Sequence, residues 1–235
     1  MPLVYNGKVP FGNEKTPVIK LIVYDLDGTL IDSRRDIANA VNGTLKELGL
    51  KTLPMEQVSS FVGSGVMHLM RQTLEVVTSD PARYVDCSIK LFRRRYAEHL
   101  LDETRLYPSV IKVLEFFKAR KQAVITNKPE DFSVTILREL GAASYFFRIV
   151  GGDRGFPKKP DPGSLQELLR SVGGAPEETV FVGDSAIDIE TGKNAGVKTV
   201  AVTYGFGKQD EIEKSQPDFI LADLEELTRC PLLKS

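Results

Sequence analysis

Two aspartates one residue apart, Asp25 and Asp27, stand at the end of an apolar run and lead into Gly28 and Thr29. In an extended segment alternate side chains share a face, so both carboxylates are expected to point the same way. Such a pair suits a hard metal ion, or a nucleophile beside an acid–base group. Gly28 lets the backbone turn sharply after them. The plainer alternative is a polar turn closing a strand. A second segment, Thr126 and Asn127, also leaves an apolar run. Its hydroxyl and amide can donate to phosphate oxygens, while Thr126 could equally cap a helix. A third segment, Lys158-Lys159-Pro-Asp-Pro162, offers Lys159 as a compact charge for a phosphoryl oxygen. Its prolines restrict the backbone that carries the lysine, although a solvated turn has the same composition.

In a fourth segment the run Val180-Phe-Val-Gly183 ends in Asp184, with Asp188 four residues on. A helix beginning near Ser185 would put Asp184 at its N-cap and Asp188 where it favours the helix dipole. Otherwise both acids join Asp25 in a set of hard oxygen ligands. Magnesium fits such a set, because it takes a few carboxylates with substrate phosphate and water.

Residues so far apart in sequence converge only if the same edge of one sheet presents them. The run at 18–24 is β-branched and nearly continuous in apolar residues, as expected of a buried parallel strand. Similar runs recur at 122–126, 147–150, 179–183, 199–203 and 219–221. Helical patterns at 110–120, 132–140, 164–172 and 187–195 separate most of them. This alternation predicts an α/β fold, a Rossmann-like parallel sheet with helices on both faces. Ligands of such sheets bind beyond the carboxyl ends of the strands, where all four segments would emerge.

From 33 to 101 the alternation stops, and only helical patterns appear. Ile37, Val41, Leu45 and Leu48 recur at helical spacing before Gly49. A short helix opens at Pro54, another covers 66–77, and Val85, Ile89, Phe92 and Tyr96 mark a fourth. The expected organisation is a catalytic core of residues 1–32 and 102–235 with an inserted α-helical cap at 33–101. A domain attached just past Asp25 would lie over the strand ends and act as a lid. Residues 1–17 are polar and interrupted by glycine and proline, so an irregular extension without a signal peptide is expected there.

Composition narrows the partners. The 235 residues are 42% hydrophobic and 27% charged, with a formal net charge of -1. No run of about 18 apolar residues is present to span a membrane. The balanced charge gives no basis for binding nucleic acid. Cys87 and Cys230 lie far apart without metal-ligand spacing, which fits thiols in a reducing cytoplasm.

Together the segments Asp25-Leu-Asp27-Gly-Thr-Leu, Thr126-Asn127, Lys159-Pro-Asp-Pro and Gly183-Asp184-Ser-Ala-Ile-Asp188 resemble the four signatures of the haloacid dehalogenase superfamily of phosphatases, in order. The helical insert is similar to that family's small cap. Within the superfamily the chain is most similar to phosphoglycolate phosphatases. That likeness rests on residues 25–33, Phe61-Val-Gly-Ser-Gly65, Leu106-Tyr-Pro108 and Val202-Thr-Tyr-Gly205.

The resemblance implies that Asp25 attacks phosphorus to form an aspartyl-phosphate. It implies that Asp27 protonates the leaving oxygen and later activates water. It assigns magnesium to Asp25, the Asp27 carbonyl and Asp184, with Asp188 in support. Thr126 and Lys159 would hold phosphate oxygens, assisted by the Asn127 side chain or backbone. The substrate would be a small phosphorylated metabolite. Gly63, Ser64 and Gly65 form a turn that could present N–H groups to an anion. Arg34, Arg35, His68 and Arg71 are candidates for pairing with a second anionic group such as a carboxylate. A phosphomutase or pyrophosphatase would share this core, but Thr29 after Gly28 matches the phosphatase form of the first signature. A dehalogenase would not need Asp27, and a non-catalytic binding module would not need to retain all four signatures.

Overall fold

A computed structural model of the chain describes residues 4–5 and 18–233. Its strands are β1 (Val4–Tyr5), β2 (Leu21–Tyr24), β3 (Ile31–Asp32), β4 (Arg105–Leu106), β5 (Lys121–Ile125), β6 (Arg148–Val150), β7 (Thr179–Gly183), β8 (Lys198–Val202) and β9 (Phe219–Leu221). Seven of them form one sheet in the order β1-β9-β8-β7-β2-β5-β6, with every pairing parallel except that of β1 with β9. Each predicted run overlaps a strand. The first is shorter than 18–24, because Val18 is exposed and Lys20 turns outward to Glu178. The irregular extension expected at 1–17 needs one correction: Val4 and Tyr5 form an antiparallel edge strand on β9. The rest of that segment lies outside the described residues.

Alternation along the central strand explains why the sheet is covered on both sides. Leu21 and Val23 join Ala123, Phe181 and three leucines, Leu165, Leu168 and Leu169, in one apolar cluster. Ile22 and Tyr24 point the other way, into a larger cluster with Val180 and Val182. A strand buried on both faces needs apolar side chains at consecutive positions, and β2 has them. The flanking helices are α5 (Val110–Phe116), α6 (Glu130–Glu139), α7 (Gly163–Val172), α8 (Ala186–Asn194) and the short α9 (Gln209–Ser215). The sequence pattern missed α9, because Ile212 is its only buried residue and no apolar period forms.

The chain enters the helical insert after β3 and returns through β4. Between them lie α1 (Arg34–Glu47), α2 (Met55–Ser59), α3 (Val66–Val77) and α4 (Val85–Glu98). One face of each of the longer helices is buried, as with Leu69, Met70 and Leu74 on α3. Those residues and Phe92 are continuous with the apolar cluster under the sheet. The two connections are joined to each other: β3 and β4 pair antiparallel through Ile31 with Leu106 and Asp32 with Arg105. Beside that ribbon the buried Asp36 carboxylate accepts hydrogen bonds from the backbone N–H of Glu103 and Thr104 and from the Thr104 hydroxyl. The two connections between core and insert thus form a single two-stranded ribbon.

Candidate active site

Strand order brings the four polar segments together. β2 is flanked by β5 and β7, so the connections on its two sides diverge at its carboxyl end. Asp25 continues the register of β2, its N–H donating to the Val182 carbonyl at 2.9 Å. The chain then folds tightly, with the Leu26 carbonyl accepting from the N–H groups of Thr29, Leu30 and Ile31. Gly28 makes that turn at φ +87°, and a Cβ there would collide with the Asp184 carboxylate. Glycine is needed for both reasons. The turn in turn orients Asp184: Thr29 Oγ1 donates to its Oδ1 at 2.8 Å, and Phe206 N–H to its Oδ2 at 2.7 Å.

Of the two readings of the acids after β7, the one that makes Asp184 the N-cap of the next helix does not hold. Ser185 is the N-cap of α8 and Asp188 occupies the third helical position, together making a capping box. Asp188 Oδ2 accepts from Ser185 N–H at 3.1 Å and from Ser185 Oγ at 2.6 Å. This one-residue shift frees Asp184 from capping and leaves Asp188 Oδ1 for Lys159, whose Nζ donates to it at 2.6 Å. The same ammonium lies 2.7 Å from Asp25 Oδ1.

Asp25, Asp184 and Asp188 each present one oxygen within 4.8 Å of the others, and all three residues are buried. One ammonium faces three carboxylates, so the cluster lacks positive charge. Burial first, and the neighbouring Asp188 and Asp184 next, push the Asp25 carboxyl up to about 8 against the opposing pull of Lys159. Burial and then Asp188 raise Asp184 to about 7. Lys159 responds in the complementary sense: burial pulls it down, but Asp188 and Asp25 hold it above its usual value. Buried hard oxygens and an excess of negative charge fit a small divalent cation.

The strand-exit segment after β5 places Thr126 and Asn127 differently. Thr126 is buried and lines the cavity above the cluster, its Oγ1 accepting from Lys128 N–H at 3.3 Å. The Asn127 side chain is not free for phosphate. Its Nδ2 donates to the Gly63 carbonyl at 2.8 Å and the Lys159 carbonyl at 3.1 Å, and its Oδ1 accepts from Lys159 N–H at 2.9 Å. Asn127 thus ties the insert to the backbone of Lys159. Sequence reasoning missed Lys128, which is buried and whose Nζ reaches Asp27 Oδ1 at 2.8 Å. Local pattern gives no sign of that burial, because it requires the insert above.

The insert closes a cavity of about 350 Å³ over the strand ends. Asp25, Asp27, Asn127, and the turn Gly63, Ser64 and Gly65, line it, and His68 follows on α3. Arg34, Arg35 and Arg71 are not among the lining residues. Arg34 is instead gripped by Asp32, through Nε at 2.9 Å and Nη2 at 2.6 Å, and lies 5.2 Å from the centroid of the Phe206 ring. Hydrogen bonding from Arg34 holds Asp32 below its ordinary range. Arg35 and Arg71 are exposed.

A family model described as haloacid dehalogenase-like hydrolase matches residues 22–202. The phosphoglycolate phosphatase of Aquifex aeolicus is 40% identical over 213 residues, covering 90% of this chain and 96% of that protein. Phosphoglycolate phosphatase 1 of Pseudomonas aeruginosa is 35% identical over 227 residues, 94% of this chain and 82% of that one. Among solved structures, a predicted phosphoglycolate phosphatase from Haemophilus somnus superposes with a TM-score of 0.84 at 32% identity, covering 90% of this chain and 97% of the other.

Proposed function

The chain belongs to the haloacid dehalogenase-like hydrolases and is a phosphoric monoester hydrolase of the phosphoglycolate phosphatase type, and from this we propose that it hydrolyses phosphoglycolate through an aspartyl-phosphate on Asp25. The observation that carries the reading is a buried Asp25 beside Lys159, Asp184 and Asp188 at the floor of a cavity roofed by the insert.

In this reading the Asp25 carboxylate attacks phosphorus. Asp27, which also lines the cavity, gives a proton to the departing oxygen and then takes one from the water that cleaves the acyl phosphate. Lys159 holds a phosphoryl oxygen and is itself held by Asp188. The Thr126 hydroxyl, at the cavity wall, donates to another. Magnesium would be held by Asp25, Asp184, Asp188 and the Asp27 carbonyl, and would offset the repulsion between an anionic nucleophile and an anionic phosphate. We take residues 33–101 as a cap that excludes water when closed and opens about the β3–β4 ribbon. A cavity of about 350 Å³ supports a small substrate. No helix among the described residues is long and apolar enough to cross a membrane, and we place the enzyme in the cytoplasm.

The test is phosphate release from a panel of monoesters by protein stripped of metal, before and after magnesium is restored. Activity is expected only with magnesium. Phosphoglycolate should exceed neutral-tailed monoesters in kcat/KM by about tenfold or more, equivalent to about 1.4 kcal/mol. Full activity after chelation would overturn the metal assignment, and parity between phosphoglycolate and neutral-tailed esters would overturn the substrate.

A further inference from the structure

Lys128 has no part in the phosphoryl-transfer scheme, yet it is 6% exposed. Its ammonium donates to Asp27 Oδ1 at 2.8 Å, to Asp27 Oδ2 at 3.2 Å and to the Tyr96 hydroxyl at 2.7 Å. It also lies 4.6 Å from the centroid of the Tyr96 ring. An ammonium has three donors, and here each has an acceptor. A buried cation is costly unless paired, so Asp27 and Tyr96 together are what keep Lys128 inside.

These partners belong to different parts of the molecule. Asp27 is in the loop after β2, whereas Tyr96 is on α4 of the insert. The Tyr96 ring is fixed within the protein, stacked on Phe92 with centroids 5.4 Å apart and edge-on to Phe132 at 5.5 Å. Asp27 has one further donor, Ser33 Oγ, at 2.5 Å from Oδ1. Oδ1 is therefore doubly held, and Oδ2, with only the longer lysine contact, is the oxygen left for a reacting group.

We propose that Lys128 is a positioning residue: seated by the Tyr96 hydroxyl of the insert, it fixes the Asp27 carboxyl for proton transfer, so that the acid–base group is in place only while the insert covers the site. This rests on the reading of Asp27 as acid and base. When the insert lifts, Lys128 loses the hydroxyl and gains water, and a hydrated ammonium on a flexible four-carbon stem no longer defines a geometry. Asp27 then keeps Ser33 alone. Closure over substrate and alignment of the proton donor thus become one event.

The test compares an alkyl phosphate, phosphoglycolate, with an aryl phosphate, p-nitrophenyl phosphate, whose leaving oxygen needs little protonation. Tyr96→Phe, Lys128→Met, the double variant and Asp27→Asn are assayed in the magnesium-loaded enzyme. Tyr96→Phe keeps the ring packing and so decides the matter even if Lys128→Met folds poorly. Losing an aligned general acid costs about 100-fold, so Lys128→Met should lower phosphoglycolate kcat/KM by about that factor and the aryl value by less than about tenfold. Tyr96→Phe should lower the alkyl value about tenfold, mainly in kcat, with a smaller aryl loss. The double variant should be no worse than Lys128→Met, because the hydroxyl acts through the lysine. Equal alkyl and aryl losses, or additive losses in the double variant, would overturn the proposal. So would a loss confined to the KM of phosphoglycolate, which would make Lys128 a contact for the substrate carboxylate. If Asp27→Asn likewise fails to distinguish the two esters, the acid–base reading itself falls. If it does distinguish them and the Lys128 and Tyr96 variants do not, only the Lys128 proposal falls.

Discussion

The floor and the roof of the cavity are built on different principles. The floor consists of the ends of β2, β5 and β7 with the residues just beyond them, and its charged groups are buried and mutually held. Asp184 is fixed by Thr29 and Phe206, and Asp188 by Ser185 and Lys159. The roof consists of Gly63, Ser64 and Gly65 with His68 on α3; the turn is only partly buried and His68 is exposed. Among the described residues, the hydrogen bond between this turn and the floor's side chains is that from Asn127 to the Gly63 backbone carbonyl. Chemistry shared by all monoesters needs charges held to a fraction of an ångström, which a sheet edge provides. Discrimination among tails needs surfaces that approach and withdraw, and a helical roof that opens, as proposed above, would provide that.

The sharpest way to break this contrast is at the nucleophile. Asp25→Asn nearly preserves size but leaves a far poorer nucleophile, so kcat/KM should fall by roughly 10³-fold or more. The fold should survive. In the metal-free protein the change removes one of three buried carboxylates crowded within 4.8 Å, so thermal melting should occur at or above the wild-type temperature. More than a few per cent of wild-type turnover in a folded Asp25→Asn protein would remove the floor from the chemistry altogether.

A subtler test asks whether the floor depends on its supports. Gly28→Ala forces a side chain into φ +87° and against the Asp184 carboxylate. Displaced second partners of metal ligands typically cost about 10–100-fold in metal affinity, so magnesium activation should shift to higher concentration by that factor. Gly173→Ala is the control, since Gly173 has φ +61° but nothing within 4 Å of its Cβ position. It should lose about 1 kcal/mol of stability from backbone strain and leave the magnesium titration where it was. Equal shifts in the two variants would mean that strain, not the Asp184 contact, sets the requirement.

The same division governs what could be read from sequence. Strands β2, β5 and β7 announce themselves through consecutive apolar residues, and the acids or hydroxyl that follow each are placed by the strand itself. Asp25, Thr126 and Asp184 are therefore legible from local pattern. Which of Asp184 and Ser185 caps α8 is not legible locally, because both are good caps and only the Thr29 and Phe206 contacts decide between them. Arg34 looked like a ligand for an anion, but Asp32, two residues earlier, satisfies it. Lys128 carries no local sign of its burial, which depends on Tyr96, 32 residues away. Such residues become legible only once the insert is placed over the sheet. The edge strand β1 was hidden for a related reason, since its two residues gain their structure only by pairing with β9 near the other end of the chain.

The smallest effect is expected in the roof, at His68. Of the candidate cap side chains His68, Arg34, Arg35 and Arg71, it is the one that lines the cavity. Its exposed position in the first turn of α3 allows a solvent-screened contact with a substrate carboxylate. Exposed ion pairs are worth about 0.2–1 kcal/mol, a factor of roughly two to five. His68→Ala should therefore raise the KM of phosphoglycolate by about threefold at low ionic strength, leave its kcat unchanged and leave neutral-tailed esters unaffected. Added salt should shrink the difference, because a contact open to water is screened. Arg71→Ala, one helical turn further along α3 and outside the cavity, should change none of these values. A fall in kcat of tenfold or more for His68→Ala would place part of the chemistry in the roof, and the separation between a catalytic floor and a selective roof would not hold.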